Sequence, residues 1–116
     1  MVTALMLLLV SPAHADDWTR RDTAWEAAYL TLHIIDWGQT LYAARRPDQY
    51  IELNGILGDH PSPGDVNRYF IATGIAHVGI AYVLPPRYRR YWQWLWIAIE
   101  ADTVNRNYKA GVRIEF

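Results

Sequence analysis

Two histidines and two carboxylates stand at helical spacing inside otherwise apolar stretches, and these are the residues best placed to do chemistry. Tyr29, His33, Asp36 and Thr40 follow an i, i+4, i+7, i+11 pattern that puts them on one stripe of a helix. Tyr69, Thr73 and His77 repeat the pattern further along the chain. Trp92, Trp96, Glu100 and Thr103 form a third row, with Asn107 one turn beyond. An unpaired ionisable group in apolar surroundings is costly, so the three stripes are expected to face one another.

A shared cluster of His33, Asp36, His77 and Glu100 follows. Its simplest chemistry is structural: the carboxylates accept hydrogen bonds from the histidines and threonines and set helix register, with no cofactor. Two imidazoles and two carboxylates also suit zinc, iron or manganese, and a bound ion would activate water for a metal-assisted hydrolase. His33 and Asp36, an i, i+3 pair, could share one ion, although the spacing matches no known metal signature. His60 falls in a polar loop, where solvation accounts for it, and His14 falls in the leader described below. The run Arg87, Tyr88, Arg89, Arg90, Tyr91, Trp92 reads as a collar for lipid headgroups or an anionic partner.

Three helices must carry these rows, which makes the expected fold class all-α. The first opens near Thr19 or Asp22 and runs to about Ala44, and its part from Ala27 to Ala44 holds eighteen residues with only His33 and Asp36 ionisable. That length suffices to cross a bilayer. Arg45 to Pro63 is a loop rich in Pro, Gly, Asn and Asp, with a turn at Asn54-Gly55 and Ile56-Leu57 as a short apolar plug. The second helix is capped by Ser62-Pro63-Gly64-Asp65 and stopped by Pro85-Pro86. Its small residues, Ala72, Gly74, Ala76, Gly79 and Ala81, invite close helix contact of the kind seen in membranes. The third begins in the Arg87 cluster and is expected to be interfacial or short-spanning. Gly111 ends it, leaving Ala110 to Phe116 as a short strand or extended tail.

Met1 to Ala15 reads as a signal peptide, an apolar run closed by Ala13-His14-Ala15, so the mature chain is expected to start at Asp16 and form one helical domain to Phe116. The chain lacks cysteine, which excludes disulfide staples. With 11 basic and 12 acidic residues its net charge is −1, and no basic field favours nucleic acid. Six Trp and eight Tyr exceed the needs of a small core and fit a membrane interface. Helices one and two are therefore expected to be transmembrane. The positive-inside rule does not orient them, because Arg45-Arg46 and Arg87-Arg89-Arg90 demand opposite sides.

The order Asp36-Trp37-Gly38-Gln39-Thr40, Asn54-Gly55-Ile56-Leu57-Gly58, His60-Pro61-Ser62, Ala76-His77 and Tyr82-Val83-Leu84-Pro85-Pro86 resembles a family of small exported or membrane proteins carried by tailed phages and prophages of Gram-negative bacteria. Relatives often have Pro where Gly55 stands. The resemblance implies a phage origin and an inner-membrane or periplasmic address, with no assigned reaction. The expected function is interaction in the host cell envelope, as a lysis accessory or in superinfection exclusion, with the bilayer, a protein partner or a second copy as partner. The alternatives are the hydrolase above and a virion structural component. A structural network predicts protein purified without chelator to be metal-free and its melting to ignore EDTA. One ion per chain by elemental analysis, lost in His33→Ala and His77→Ala, is the opposite result.

Overall fold

The computed structural model describes residues 17 to 116, so the expected signal peptide and its cleavage site lie outside the described residues. Three helices follow: α1 (Arg20–Ala44), α2 (Pro63–Val83) and α3 (Pro86–Lys109). Their ends are set by local chemistry. The Thr19 hydroxyl accepts from the Asp22 amide while the Asp22 carboxylate accepts from the Thr19 amide, and Ser62 and Asp65 do the same for α2. Pro85 and Pro86 break the chain between α2 and α3, and Pro86 then opens α3. At the far end Gly111, with φ +92°, takes the left-handed conformation that terminates α3, and the Val112 amide donates to the Asn107 carbonyl at 3.0 Å.

α1 packs along both partners, whereas α2 and α3 touch each other sparingly. The apolar core is small: Leu41, Val66 and Phe70, backed by Trp37, Ala44 and Tyr69. Among the described residues ten polar or charged side chains are buried against six hydrophobic ones, so the interior is mainly a hydrogen-bonded one. Arg89, wholly buried, is its anchor. Its Nε donates to the Ala81 carbonyl at 2.6 Å, its Nη2 to the Leu84 carbonyl at 3.1 Å and its Nη1 to Asp22 Oδ2 at 2.9 Å. One guanidinium thereby caps the end of α2 and ties it to the start of α1.

The bilayer expectation is overturned, since among the described residues no helix is long and apolar enough to cross a membrane. α1 has the length, 25 residues, but Tyr29, His33, Asp36, Gln39 and Thr40 interrupt its apolar surface and are buried against α2 and α3. Counting charges alone overstated its apolarity. α3 is likewise neither short-spanning nor a lone amphipathic surface helix: its polar row, Arg89, Gln93 and Glu100, is its buried face. Among the small residues of α2, Gly74 is buried and packs against His33, at a distance where an added methyl would make ordinary contact. A Cβ there would lie 3.4 Å from the His33 ring.

The last residues form an extended tail with no strand. The Glu115 amide donates to the Gly38 carbonyl at 3.1 Å, and Arg46 pairs with the Glu115 carboxylate at 2.8 Å. Gly38 permits this approach, because a Cβ would stand 2.6 Å from Ile114 Cγ2. In the loop, the Leu57 and Gly58 amides donate to the Asn54 carbonyl, so the turn forms where expected. The apolar plug does not: Ile56 is 83% exposed, while Leu57 is half-buried. The anchor gives a sharp test. Arg89→Met leaves Asp22 buried with half its pairing and two helix-end carbonyls without a donor, and should cost about 3–5 kcal/mol in urea unfolding. A loss below about 1 kcal/mol would show that the guanidinium is not the anchor.

Candidate functional site

Between α2 and α3, over a floor made by α1, lies a cavity of about 730 Å³, partly open to solvent. The Tyr50–Leu57 stretch closes one end and the beginning of the tail contributes Ala110 and Val112. Its existence follows from the sparse α2–α3 contact: the hairpin is pinned at the Arg89 end and the two helices diverge from it.

Two polar chains run beneath the cavity. In the first, His33 Nε2 lies 2.9 Å from the Phe70 carbonyl, which can only accept, so Nε2 carries the hydrogen. In the neutral ring Nδ1 is then the acceptor for the Tyr29 hydroxyl at 3.2 Å, and Glu100 Oε2 lies 3.8 Å from that same nitrogen. The Thr73 hydroxyl is 3.3 Å from His33 Nε2. Asp36 stands within electrostatic reach of Glu100 and accepts from Thr40 at 3.3 Å and from the Asn107 amide at 3.3 Å. Gln39 extends the chain, accepting from Asn107 at 3.0 Å and donating to the Val104 carbonyl.

Burial, followed by repulsion from Glu100, raises the Asp36 pKa to about 7. The two carboxyl groups therefore hold a proton between them near neutrality. Burial opposes protonation of His33, yet the Glu100 carboxylate and the Phe70 carbonyl outweigh it and raise its pKa. Tyr29 is pushed up by burial and by Glu100, and stays a hydroxyl donor. Asp22 behaves oppositely: burial works against its charge, but the Thr19 amide, Arg90 and Arg89 hold its pKa below the usual carboxylate range.

The second chain is Gln93, Glu26 and His77. Gln93 Nε2 donates to Glu26 Oε1 at 3.1 Å, and His77 Nδ1 lies 3.1 Å from Glu26 Oε2. With Nδ1 turned to that carboxylate, Nε2 is the remaining ring nitrogen, and it is buried with no hydrogen-bond partner. The ring is clamped between Tyr29, at a centroid distance of 3.5 Å, and Trp92, at 5.0 Å. A histidine oriented by a carboxylate, with its other nitrogen free, is the arrangement of a general base.

The expected cluster is thus met in part. His33, Asp36 and Glu100 come together, with Tyr29, Thr40 and Thr73 around them. His77 does not join, being held by Glu26, and Thr103 instead donates back to the Ile99 carbonyl. The four-ligand ion site is not formed: among the described residues no three His, Asp or Glu side chains converge to hold a metal. The headgroup collar is divided as well. Arg89 is buried, Arg90 pairs with Asp22 at 3.1 Å and Trp92 donates to the His77 carbonyl, which leaves Arg87, Tyr88 and Tyr91 outside. Glu26, Gln93 and Gln39 were missed. Glu26 extends the α1 row one turn toward the amino end, and Gln93 stands three residues before Trp96 and seven before Glu100, at the same helical spacing.

No protein family, curated protein or solved structure matches the chain, so the site rests on its own geometry.

Asp36→Ala and Glu100→Ala should each destabilise by about 1–3 kcal/mol, and the double variant by less than their sum, because the second removes a group already orphaned. Additive losses would separate the pair. The raised pKa values of Asp36 and His33 also fix a pH dependence: these two groups bind more protons in the folded state than in the unfolded one, so the stability they contribute is lost as pH rises through the raised values, whereas Asp22, held low, contributes stability that is lost only in more acidic solution. Melting temperature should drop from about pH 5 to about pH 8, and less steeply in Asp36→Asn, whose amide imitates the protonated acid.

Proposed function

We propose that the chain binds a small organic molecule in the cavity between α2 and α3 and exchanges a proton with it. The observation that carries this reading is the combination of a cavity of about 730 Å³ with lining residues that hold buried polar atoms without a hydrogen-bond partner: His77 Nε2, Trp96 Nε1 and Glu100 Oε2. Such atoms are expensive to leave unsatisfied, and native interiors rarely leave several together. The volume lies within the range of small-molecule sites.

The roles follow from the two chains. Glu26 holds His77 so that Nε2 takes a proton, and the Asp36–Glu100 pair gives one. A carboxyl with a raised pKa, Asp36, and a held histidine in one cleft are the arrangement expected of acid–base machinery. No Ser or Cys lines the cavity, and the Thr73 and Thr103 hydroxyls donate to backbone carbonyls, so the chemistry proposed is proton transfer without a covalent intermediate. The metal-assisted alternative loses its ligand set because His77 is committed to Glu26. An interaction role in a host cell envelope rests on the motif resemblance and on the exposed Ile71, Ile75, Val78, Trp94 and Leu95. The cavity has the more specific chemistry and is preferred.

Ala76, exposed at the cavity wall and outside both polar chains, allows a plug. The uncharged dye N-phenyl-1-naphthylamine should bind saturably, and Ala76→Trp should weaken it at least about tenfold with unchanged melting. Dye binding that is absent, or indifferent to the plug, would end this reading.

A further inference from the structure

The lining of the cavity is unevenly charged. Asp36 and Glu100 lie in its floor and Glu52 stands in the loop that closes one end. The lining guanidinium, Arg106, is ion-paired with Asp102 at 2.9 Å, and its side chain is 67% exposed. Its charge is therefore balanced and screened outside, and the interior of the cavity is left electronegative. Glu100 is only 8% exposed, and its Oε2 finds no hydrogen-bond donor. His33 Nδ1, at 3.8 Å, is too far to supply one.

Aromatic rings surround the same space. Tyr29, Tyr69, Trp92 and Trp96 line it; Tyr29 and Trp92 are stacked on the His77 ring, which leaves Tyr69 and Trp96 to offer a cation the partial negative charge of a ring face. Ile80, Ile99 and Leu57 add aliphatic surface. Carboxylates, aromatic rings and aliphatic side chains in one lining suit a ligand that carries both a cationic group and an apolar body.

We propose that the ligand of this cavity is an amphipathic organic cation, an ammonium group on an apolar body, whose nitrogen sits against Asp36 and Glu100 and whose body lies between Trp92, Trp96 and Leu57. The inference rests on the reading that the cavity binds a small molecule, and adds the class. An ammonium donates the hydrogen bonds that Glu100 Oε2 lacks, and its charge replaces the proton held between the two carboxyl groups. That proton leaves for solvent. Other titratable groups face the pair: Tyr29 and His33 on α1, Tyr69 and His77 on α2, Arg106 on α3 and Glu52 in the loop. His33 loses its proton in the same direction when a cation arrives, so an Asp36 variant is needed to separate the two.

The test is displacement of bound N-phenyl-1-naphthylamine by phenethylammonium, by its neutral counterpart phenethyl alcohol and by the anion 3-phenylpropionate. Phenethylammonium should compete at least about tenfold better than the alcohol, the scale of a desolvated cation–π and ion-pair contact. Its advantage should grow from about pH 5.5 to about pH 8, and calorimetry in buffers of different ionisation heat should record proton release. Asp36→Asn should abolish most of that release, and Glu100→Gln should bring the amine and the alcohol within about threefold of each other. If either variant fails to fold, the comparison of the three ligands on the unaltered chain still decides. An alcohol or carboxylate that competes as well as the amine overturns the cation assignment while leaving the cavity reading intact. A dye that never binds, or ignores Ala76→Trp, removes the cavity reading first.

Discussion

The rest of the structure depends on the burial of one guanidinium. Arg89 is fully enclosed, and it reaches the carbonyls at the end of α2, the Asp22 carboxylate at the start of α1 and, through its own position, the first turn of α3. A buried charge is tolerated only when its hydrogens are satisfied and its countercharge is near, so these three helix ends are held to one geometry. Trp18 lies across the guanidinium at 4.8 Å and helps exclude water from it. Because the hairpin is pinned here by two prolines and one arginine, α2 and α3 are fixed at this end and diverge from it.

That divergence explains why a chain with a small apolar core can contain a cavity. α1 supplies the common packing surface, and it does so with its polar stripe. Desolvating Tyr29, His33, Asp36, Gln39 and Thr40 would be prohibitive if each had to find its own partner. They are instead linked to one another and to Phe70, Glu100 and Asn107, so that each group satisfies its neighbour. The same arrangement creates reactivity. Two carboxyl groups forced together out of water cannot both ionise easily, and a proton retained between them near neutrality is available to a ligand above.

The His77–Glu26 chain differs in kind. Its histidine is oriented by Glu26, which Gln93 in turn holds, and is clamped by two rings, yet its second nitrogen is left without a partner. Gln93 is itself wholly buried and also donates to the Asp22 carbonyl, which ties this chain back to the Arg89 anchor. Positioning of the base and closure of the bundle are therefore one network, and the cavity sits where the two polar chains approach through Tyr29.

Local chemistry in the sequence determined the helices. Thr19, the Ser62-Pro63-Gly64-Asp65 cap, Pro85-Pro86 and Gly111 act within a few residues of themselves, so the boundaries of α1, α2 and α3 and the extended tail could be read directly. The polar rows were legible for the same reason, since helical spacing puts Tyr29, His33, Asp36 and Thr40 on one stripe whatever they meet. What they meet was decided by tertiary structure. Whether His77 pairs with Asp36, Glu100 or Glu26, and whether Arg89 faces solvent or the interior, depends on how three helices cross and on which groups lose water, and those choices lie 51 to 67 residues apart in the chain. The bilayer expectation failed at this point. Apolar composition and spacing say how much surface resists water and that the polar stripes turn inward, but only packing says that the space beside them remains open as a cavity.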